Sequence, residues 1–179
     1  MLIPGVRITL RDFTRADVEA IMAYASDPVV TQYLNWGPNT RAQTEEFLAN
    51  VIGTAQRSPR AHFELGIVEK ATELLVGGAR ITVRSTAHRV GDIGYVLRRD
   101  TWGQGYGTEV ARLLVEYGFH TLGLHRIEAT CDPSNIASRK ILEKIGMQLE
   151  GCTRQHLWIR GKWRNSLLFA SLATEIGNP

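Results

Sequence analysis

A glycine-rich run between a predicted strand and a predicted amphipathic helix constrains the fold of this chain more than any other feature. Residues 102–109 read Trp-Gly-Gln-Gly-Tyr-Gly-Thr-Glu, with glycines at positions 103, 105 and 107. Such a loop turns tightly and exposes backbone N–H groups at the helix N-terminus, where the helix dipole also favours an anion. The run therefore predicts a phosphate-binding loop. Taken alone, it also fits a turn that only allows close packing of strand and helix.

Two other phosphate-binding motifs fit this run poorly. The dinucleotide motif Gly-x-Gly-x-x-Gly would need a third glycine where the chain has Thr108 or Val110. The phosphate loop of nucleotide hydrolases would need a Lys-Ser or Lys-Thr pair after the last glycine, and this chain has none there. We therefore favour a pyrophosphate-binding loop that belongs to neither class.

The hydrophobic pattern predicts one α/β (α+β) domain over residues 1–179. Helical spacing of apolar residues predicts helices over 15–25, 41–55 and 135–145, and another between the glycine loop and Gly123. Alternating patterns predict strands over 6–10, 62–69, 74–83, 92–97, 125–131, 155–159 and 165–172. This order predicts a mixed central β-sheet with helices on both faces.

Composition and charge narrow the functional class. The 179 residues carry a net charge of +3, and the basic excess lies after residue 60, in the part with the glycine loop. This suits an anionic ligand but lacks the basic stripe of a nucleic-acid-binding protein. The two cysteines and five scattered histidines form no metal-ligand pattern, so we expect no metal. Without a signal peptide or a membrane-spanning apolar stretch, a cytoplasmic protein with no membrane partner is expected.

Residues 97–109, Leu-Arg-Arg-Asp-Thr-Trp-Gly-Gln-Gly-Tyr-Gly-Thr-Glu, closely resemble the acetyl-CoA-binding signature of the GNAT acetyltransferase superfamily. The subgroup that the chain resembles is that of the ribosomal-protein N-terminal acetyltransferases. The superfamily signature often begins with Gln or Arg, whereas this chain has Trp102, a departure that the subgroup commonly shares. Supporting matches run across nearly the whole chain: Leu10-Arg11 with Asp17, residues 92–95, residues 125–129, Asn135 with residues 138–140, Gly146-Met147 and Glu150-Gly151.

The resemblance implies an N-acetyltransferase that moves the acetyl group of acetyl-CoA to a primary amine by direct attack in a ternary complex. In this family the strand before the glycine loop splays from its neighbour. Its freed backbone groups bind the pantetheine arm, and an N–H there can stabilise the oxyanion. The acetyl-CoA-binding residues implied for this chain are Tyr95, Val96, Leu97, Gln104, Gly105, Tyr106, Gly107, Thr108, Asn135 and Ser138.

The proton-transfer roles also follow from the resemblance, with alternatives. Ser138 matches the family's Asn-x-x-Ser helix and would protonate the departing CoA thiolate, because Leu142 stands where many members carry a tyrosine. The alternative for Ser138 is helix capping. Asp92 starts the splayed strand and is the leading candidate for the general base, with a solvated strand-end carboxylate as the alternative. The reserve candidates for the base are Glu64, Glu69 and, more weakly, His156.

The acceptor is predicted to bind between the N-terminal helices and the last hairpin. The loop Tyr33-Leu34-Asn35-Trp36 would face Trp158 and Trp163 across a cleft, although tryptophans also suit a core or a dimer interface. The acceptor is expected to be a protein N-terminus or a small-molecule amine, and the protein a monomer or homodimer. Cys131 and Cys152 lack a paired histidine, which argues against a covalent acetyl-enzyme. The alternative functions are a non-catalytic CoA-binding sensor and a transferase for a larger acyl-CoA.

Overall fold

The computed structural model describes residues 1–175, in which two strands and three helices are followed by a meander of three strands, a crossover helix with the strand after it, one more helix and a final hairpin. The strands are β1 (Leu2–Pro4), β2 (Ile8–Asp12), β3 (His62–Glu69), β4 (Leu75–Ser85), β5 (Val90–Leu97), β6 (Arg126–Cys131), β7 (Gln148–Ile159) and β8 (Lys162–Leu172). The helices are α1 (Val18–Ala25), α2 (Pro28–Thr31), α3 (Arg41–Ala55), α4 (Tyr106–His120) and α5 (Ile136–Lys144). None of these helices is long and apolar enough to cross a membrane.

All eight described strands belong to one mixed sheet in the order β1-β2-β3-β4-β5-β6-β8-β7. Neighbouring strands are antiparallel except β5 and β6, which run parallel and are joined through α4. A parallel pair needs such a crossover, because the chain must return to the other end of the sheet before the second strand begins. The crossover places the glycine loop directly after the C-terminal end of β5.

Two apolar clusters cover the two faces of the sheet. On one face, Val110 and Leu114 of α4 are fully buried in a cluster with the strand residues Ile81 and Ile127. On the other face, α1 and α3 contribute to a second cluster that includes Tyr24. Removing an apolar side chain of this size from water stabilises the fold by about 1.5–3 kcal/mol, so both helical layers are held firmly. The predicted α/β class, with a mixed sheet and helices on both faces, is confirmed.

The predicted element bounds agree best in the middle of the chain. Helix α3 and strand β3 have the predicted limits, Arg41–Ala55 and His62–Glu69. The sequence analysis missed β1 and α2, and it began β7 and β8 several residues too late. Almost every residue of β7 is exposed. An exposed strand lacks the apolar alternation that identifies a half-buried one, which explains the late start.

An ion pair with a buried carboxylate fixes β2 to the segment that leads into α1. Asp17 is 6% exposed, and its two carboxylate oxygens accept hydrogen bonds from Arg11 at 2.7 Å each. The Thr14 backbone N–H donates to the same carboxylate at 2.7 Å. Burial by itself would raise the pKa of Asp17, but the hydrogen bonds from Arg11 and Thr14 outweigh it and hold that pKa below its usual value.

We expect Asp17→Asn to lower the free energy of unfolding at pH 7 by about 1.5–3 kcal/mol, the range for a hydrogen bond to a charged group. Since the folded-state pKa is depressed, this stability is present above the unfolded pKa of about 3.9 and is lost as pH falls through the folded pKa. Urea titrations at neutral and acidic pH check this. Glu19→Gln, at a carboxylate whose side chain is 72% exposed, is the control. If the free energy of unfolding of Asp17→Asn stayed below that of the wild type by a constant amount down to acidic pH, the prediction would be contradicted.

Candidate active site

The sheet opens between β5 and β6 next to the glycine loop. In the described chain, pairing between the two strands ends at Ile93 with Ala129. Beyond this point β5 continues beside β4, whereas the end of β6 pairs with β8. Tyr95, Val96 and Leu97, the residues expected to bind the pantetheine arm, all lie in this open stretch of β5. Main-chain groups on the β6 side of this stretch pair with no other strand in the described chain and can bind an extended ligand, apart from the Leu97 carbonyl, which accepts a hydrogen bond from the Trp102 indole N–H at 3.0 Å.

A cleft of about 630 Å³ begins at this opening and extends toward α1 and α3. This volume is typical of small-molecule sites, roughly 300–1,000 Å³. The cleft is lined jointly by the open strands, the start of α5, the α2–α3 loop and the last hairpin. The lining includes Gly94, Tyr95, Val96, Thr130, Cys131, Asn135, Ser138, Tyr33, Leu34, Asn35, Trp36, His62, Glu64, Arg80, Asp132, Leu157 and Arg164.

Helix α4 begins with backbone N–H groups that no side chain caps in the described residues. Gly105 is the N-cap residue and has φ of +86°, a left-handed conformation that glycine adopts without strain. Tyr106, Gly107 and Thr108 form the first turn of α4, and their N–H groups have no partner within the helix. A helix start of this kind suits a pyrophosphate, because the orphan N–H groups and the helix dipole both attract an anion.

The underside of the glycine loop is held by Arg7, which directly precedes β2, and by Glu69 at the end of β3. Arg7 Nη1 donates to the Gln104 carbonyl at 2.8 Å, and the guanidinium lies over the Tyr106 ring, 4.6 Å from its centroid. The Tyr106 side chain is buried, and its hydroxyl donates to Glu69. Hydrogen bonds from Thr72 and Tyr106 lower the pKa of Glu69. Glu69 therefore supports the loop and lies outside the cleft lining, where it is poorly placed to serve as the base.

Asn135 and Ser138 stand at the start of α5 beside the open strand edge. Asn135 Oδ1 accepts a hydrogen bond from the Ser138 backbone N–H at 3.1 Å, so Asn135 caps the helix. The Ser138 hydroxyl oxygen lies 3.4 Å from the Tyr95 hydroxyl. Burial raises the pKa of Tyr95 to about 12, although the hydrogen bond to Ser138 lowers it in part. The phenol therefore keeps its proton at neutral pH, and it can donate to Ser138.

The geometry argues against Asp92 as the general base. Its Oδ2 atom lies 2.7 Å from Arg80 Nη2, and its Oδ1 atom lies 2.9 Å from Arg84 Nε. A carboxylate between two guanidinium groups could accept an amine proton only by giving up these ion pairs. Arg80 lines the cleft and lies against Gly94, whereas Asp92 is not part of the lining. Asp92 therefore holds Arg80 at the cleft wall. Its role as the base stays a prediction, and this geometry disfavours it.

Glu64, a reserve candidate in the sequence analysis, does line the cleft. Its side chain is 19% exposed, and Oε1 lies 3.2 Å from His62 Nε2. The other ring nitrogen, His62 Nδ1, lies 2.8 Å from Thr82 Oγ1. The His62 side chain is 44% exposed, so this pair connects the cleft with solvent. His156, the weakest reserve, is exposed on β7 and outside the cleft lining.

The aromatic loop over residues 33–36 lines the cleft, but its expected partners do not. Trp158 and Trp163 pack against each other with ring centroids 5.2 Å apart, and they are 61% and 56% exposed. The neighbouring cross-strand pair, Leu157 and Arg164, lines the cleft instead. Side chains alternate between the faces of a sheet, so a shift of one residue along the hairpin moves both tryptophans to the other side.

Cys131 lies at the end of β6 in the cleft lining and is 5% exposed. Burial raises the pKa of its thiol to about 11, so the thiol stays protonated at neutral pH and is a weak nucleophile. Cys152 is exposed on β7. These surroundings favour packing as the role of Cys131 and direct transfer as the chemistry.

Three arginines organise the cleft, and the sequence did not predict a role for any of them: Arg80, Arg160 and Arg164. Their partners are distant in sequence, so no local spacing reveals them. In the structure Arg164 shares its face of β8 with Ser166, which lies two residues later and is fully buried, but a serine gives no sign of that burial in the sequence. An arginine on the inward face of a strand is uncommon and needs a partner.

Together the open strand edge and the cleft form one site, which suits a transferase with two substrates. The family model described as an acetyltransferase (GNAT) domain matches residues 7–148. The chain therefore belongs to the GNAT acetyltransferase family and is an acyl-CoA-dependent N-acetyltransferase, as the sequence resemblance predicted.

Similar proteins cover nearly the whole chain. An uncharacterized N-acetyltransferase of Bacillus licheniformis, p20, is 31% identical over 169 residues, or 94% of each chain. A GNAT-family acetyltransferase structure from Bacillus anthracis has a TM-score of 0.87 at 30% identity and covers 98% of this chain and 100% of that one. RimL, a ribosomal L7/L12 α-N-protein acetyltransferase solved with coenzyme A, shares the fold with a TM-score of 0.84 at 20% identity, over 96% of this chain and 98% of its own.

Some relatives with a named acceptor match less of the chain. Spermidine N(1)-acetyltransferase of Escherichia coli is 29% identical over 45% of this chain and 43% of its own. The ribosomal protein uS5-alanine N-acetyltransferase of the same organism is 29% identical over 60% of this chain and 56% of its own.

Proposed function

We propose that this protein acetylates a primary monoamine with an apolar body, by direct attack of the amine on acetyl-CoA within a ternary complex. The observation that carries the proposal is the shared cleft, in which the open edge of β5, Ser138 and Glu64 line one continuous space. A non-catalytic sensor would not need a candidate acid and a candidate base in the lining of one space, so we favour the enzyme.

Acetyl-CoA would lie along the opening between β5 and β6. The main-chain groups of Tyr95, Val96 and Leu97 would bind the pantetheine arm, and the free amide nitrogen of Asn135 could add a further hydrogen bond. The N–H groups of residues 104–108 would bind the pyrophosphate. What acetyl-CoA supplies is the activated acetyl group. A backbone N–H of the open strand would stabilise the oxyanion that develops on its carbonyl oxygen.

Glu64 would take the proton that makes the acceptor amine unreactive at neutral pH, directly or through one water. His62 would pass this proton to solvent. The neutral amine then attacks the carbonyl carbon, so that a C–N bond forms and the C–S bond breaks. As the amide forms, the nitrogen gives its second proton to Glu64, which has already passed the first one on through His62. Ser138 protonates the departing thiolate, and the proton it loses is replaced from Tyr95 and, in turn, from solvent. One proton is released for each acetyl group transferred.

Tyr95 would complete the acid by donating its hydroxyl hydrogen to Ser138 while Ser138 donates to the thiolate. We expect Tyr95→Phe to lower kcat by about 3- to 10-fold, the effect of one neutral hydrogen bond of roughly 1 kcal/mol. Steady-state kinetics of Tyr95→Phe, Ser138→Ala and the double variant measure the coupling. The losses of kcat in the two single variants should be less than additive in the double variant, because both substitutions act on one proton donor. Fully additive losses would contradict the link.

The acceptor class follows from the charges already paired inside the cleft. Asp132 in the cleft lining lies 3.8 Å from Arg164 Nε, and Asp92, just outside the lining, is held between Arg80 and Arg84. Glu64 lies beside His62 and makes no salt bridge to an arginine or lysine among the described residues, although Arg80 is its cross-strand neighbour. The cleft thus offers one carboxylate to one ammonium group, while Phe13 and Phe47 provide apolar walls. A polyamine would bring further ammonium groups and would leave them without partners, at a considerable desolvation cost.

The experiment is a panel of acceptors at matched concentrations, with CoA thiol release measured against an amine-free control. The panel contains an arylalkyl monoamine, a peptide with a free N-terminus and an apolar first residue, and spermidine. We expect kcat/KM for the best apolar monoamine or peptide to exceed that for spermidine by about 10-fold or more, the effect of one unpaired charged group. Preferred acetylation of spermidine would refute the acceptor class.

A further inference from the structure

The α2–α3 loop forms the outer wall of the acceptor end of the cleft. We use the name acceptor loop for residues 31–37. Its Tyr33, Leu34, Asn35 and Trp36 line the cleft, while the segment between Gln32 and Thr40 belongs to no helix or strand. A loop without regular hydrogen bonding needs other partners for its backbone groups if it is to keep one shape.

The side chain of Arg160, at the tip of the hairpin between β7 and β8, binds the main-chain carbonyl groups of this loop. Arg160 Nη2 donates to the carbonyl oxygens of Gly37 at 2.7 Å, Thr31 at 3.0 Å and Trp36 at 3.1 Å. Arg160 Nη1 donates to Leu34 at 3.2 Å, with a longer contact to the Gln32 carbonyl at 3.4 Å. The planar, always charged guanidinium gathers several carbonyl groups at once, which the single ammonium of a lysine cannot reproduce.

Arg164 binds a further carbonyl group of the loop, which Arg160 does not contact. Its Nη1 atom donates to the Tyr33 carbonyl at 2.6 Å. Its Nε atom faces Asp132 at 3.8 Å, on the segment that leads into α5 and Ser138. Every acceptor-loop residue except Asn35 therefore gives its carbonyl to one of the two arginines.

We propose that Arg160 is a positioning residue that holds the acceptor loop in the shape that binds the amine. This inference rests on the proposed function, because it concerns the amine end of the same cleft. Arg160 is not part of the cleft lining, so it acts through the loop. Its loss should weaken amine binding and leave acetyl-CoA binding intact, since acetyl-CoA is expected at the opposite end, on β5, α4 and α5.

The kinetic test uses Arg160→Met, which keeps the apolar stem but removes every donor. We expect KM for the amine to rise about 10-fold or more, the effect of losing several charge-assisted hydrogen bonds at the loop. KM for acetyl-CoA should stay within about twofold, as its expected contacts are untouched. KM for the amine in Arg160→Lys should lie between the values for the wild type and Arg160→Met. Arg154→Met, at an exposed position on the same hairpin with no side-chain hydrogen bond among the described residues, should match the wild type.

Hydrogen exchange of the acceptor loop separates the inference from the proposed function, because it needs no acceptor. Arg160→Met should speed exchange of amides in residues 31–37 and leave α4 unchanged, and Arg154→Met should change neither. Unchanged exchange, or faster exchange with an unaltered KM for the amine, would overturn the positioning role. Equal loss of acetyl-CoA binding would overturn it too, by showing general damage. A wild-type protein with no amine-dependent transfer would refute the proposed function, and the exchange would still decide whether Arg160 holds the loop.

Discussion

Replacing Ser138 with alanine should lower kcat by about 100-fold, at the lower end of the range for losing a general acid. The Ser138 hydroxyl is the hydrogen-bond donor at the start of α5 that lies beside the open edge of β5, and Tyr95 lies 3.4 Å behind it. Alanine leaves the helix cap intact, because Asn135 binds the backbone N–H of residue 138 and not its side chain. Affinity for acetyl-CoA should therefore change by less than about threefold.

The matched control for this prediction is Ser134→Ala. Ser134 is exposed in the same segment, and its side chain makes no hydrogen bond in the described residues. Its kcat should equal that of the wild type. Calorimetric binding of acetyl-CoA to each variant shows whether the cosubstrate site is intact. A kcat for Ser138→Ala within about threefold of the wild type would remove Ser138 from its role as the acid.

Replacing Glu64 with glutamine should lower kcat/KM for the amine about 100- to 1,000-fold near neutral pH, the range for losing a general base. Glutamine keeps the size of the side chain and its contact with His62, but it cannot take a proton. The loss should shrink as pH rises toward the amine pKa, about 10.4 for an alkylamine such as lysine, because the free amine then forms without help. A pH–rate profile therefore distinguishes a lost base from a damaged cleft.

Two comparison variants sharpen this prediction. Glu46→Gln, at an exposed carboxylate of α3, should behave as the wild type at every pH. Asp92→Asn tests the base that the sequence favoured. It should lower kcat/KM for the amine far less than Glu64→Gln does, because Asp92 already binds Arg80 and Arg84. A larger, pH-reversible loss in Asp92→Asn than in Glu64→Gln would return the base to Asp92.

The sequence was sufficient for the parts of the fold that have strong local patterns. Helix α3 has a capping box, in which Thr40 and Gln43 bind each other's backbone N–H groups. Strand β3 alternates regularly, so both elements were predicted with their observed bounds. Strand β1 has three residues and α2 has four, which is too short for any period to appear.

The site was only partly predictable, because its polar contacts depend on register between distant segments. The ion pair between Asp92 and Arg80 follows from the register of β4 against β5, which no local spacing in the sequence reveals. The arginines of the last hairpin bind a loop more than 120 residues away in the chain. The cytoplasmic location and the oligomeric state stay predictions.

The most direct test of the account is release of CoA thiol from acetyl-CoA by the purified protein, with and without an apolar monoamine, together with the mass of the amine product. The account predicts release that depends on the amine and matches the N-acetylated product one to one. Rapid thiol release without amine, with the acetyl group left on the protein, would contradict direct transfer. Calorimetric binding of acetyl-CoA with no release for any amine of the panel would contradict the proposed enzyme activity.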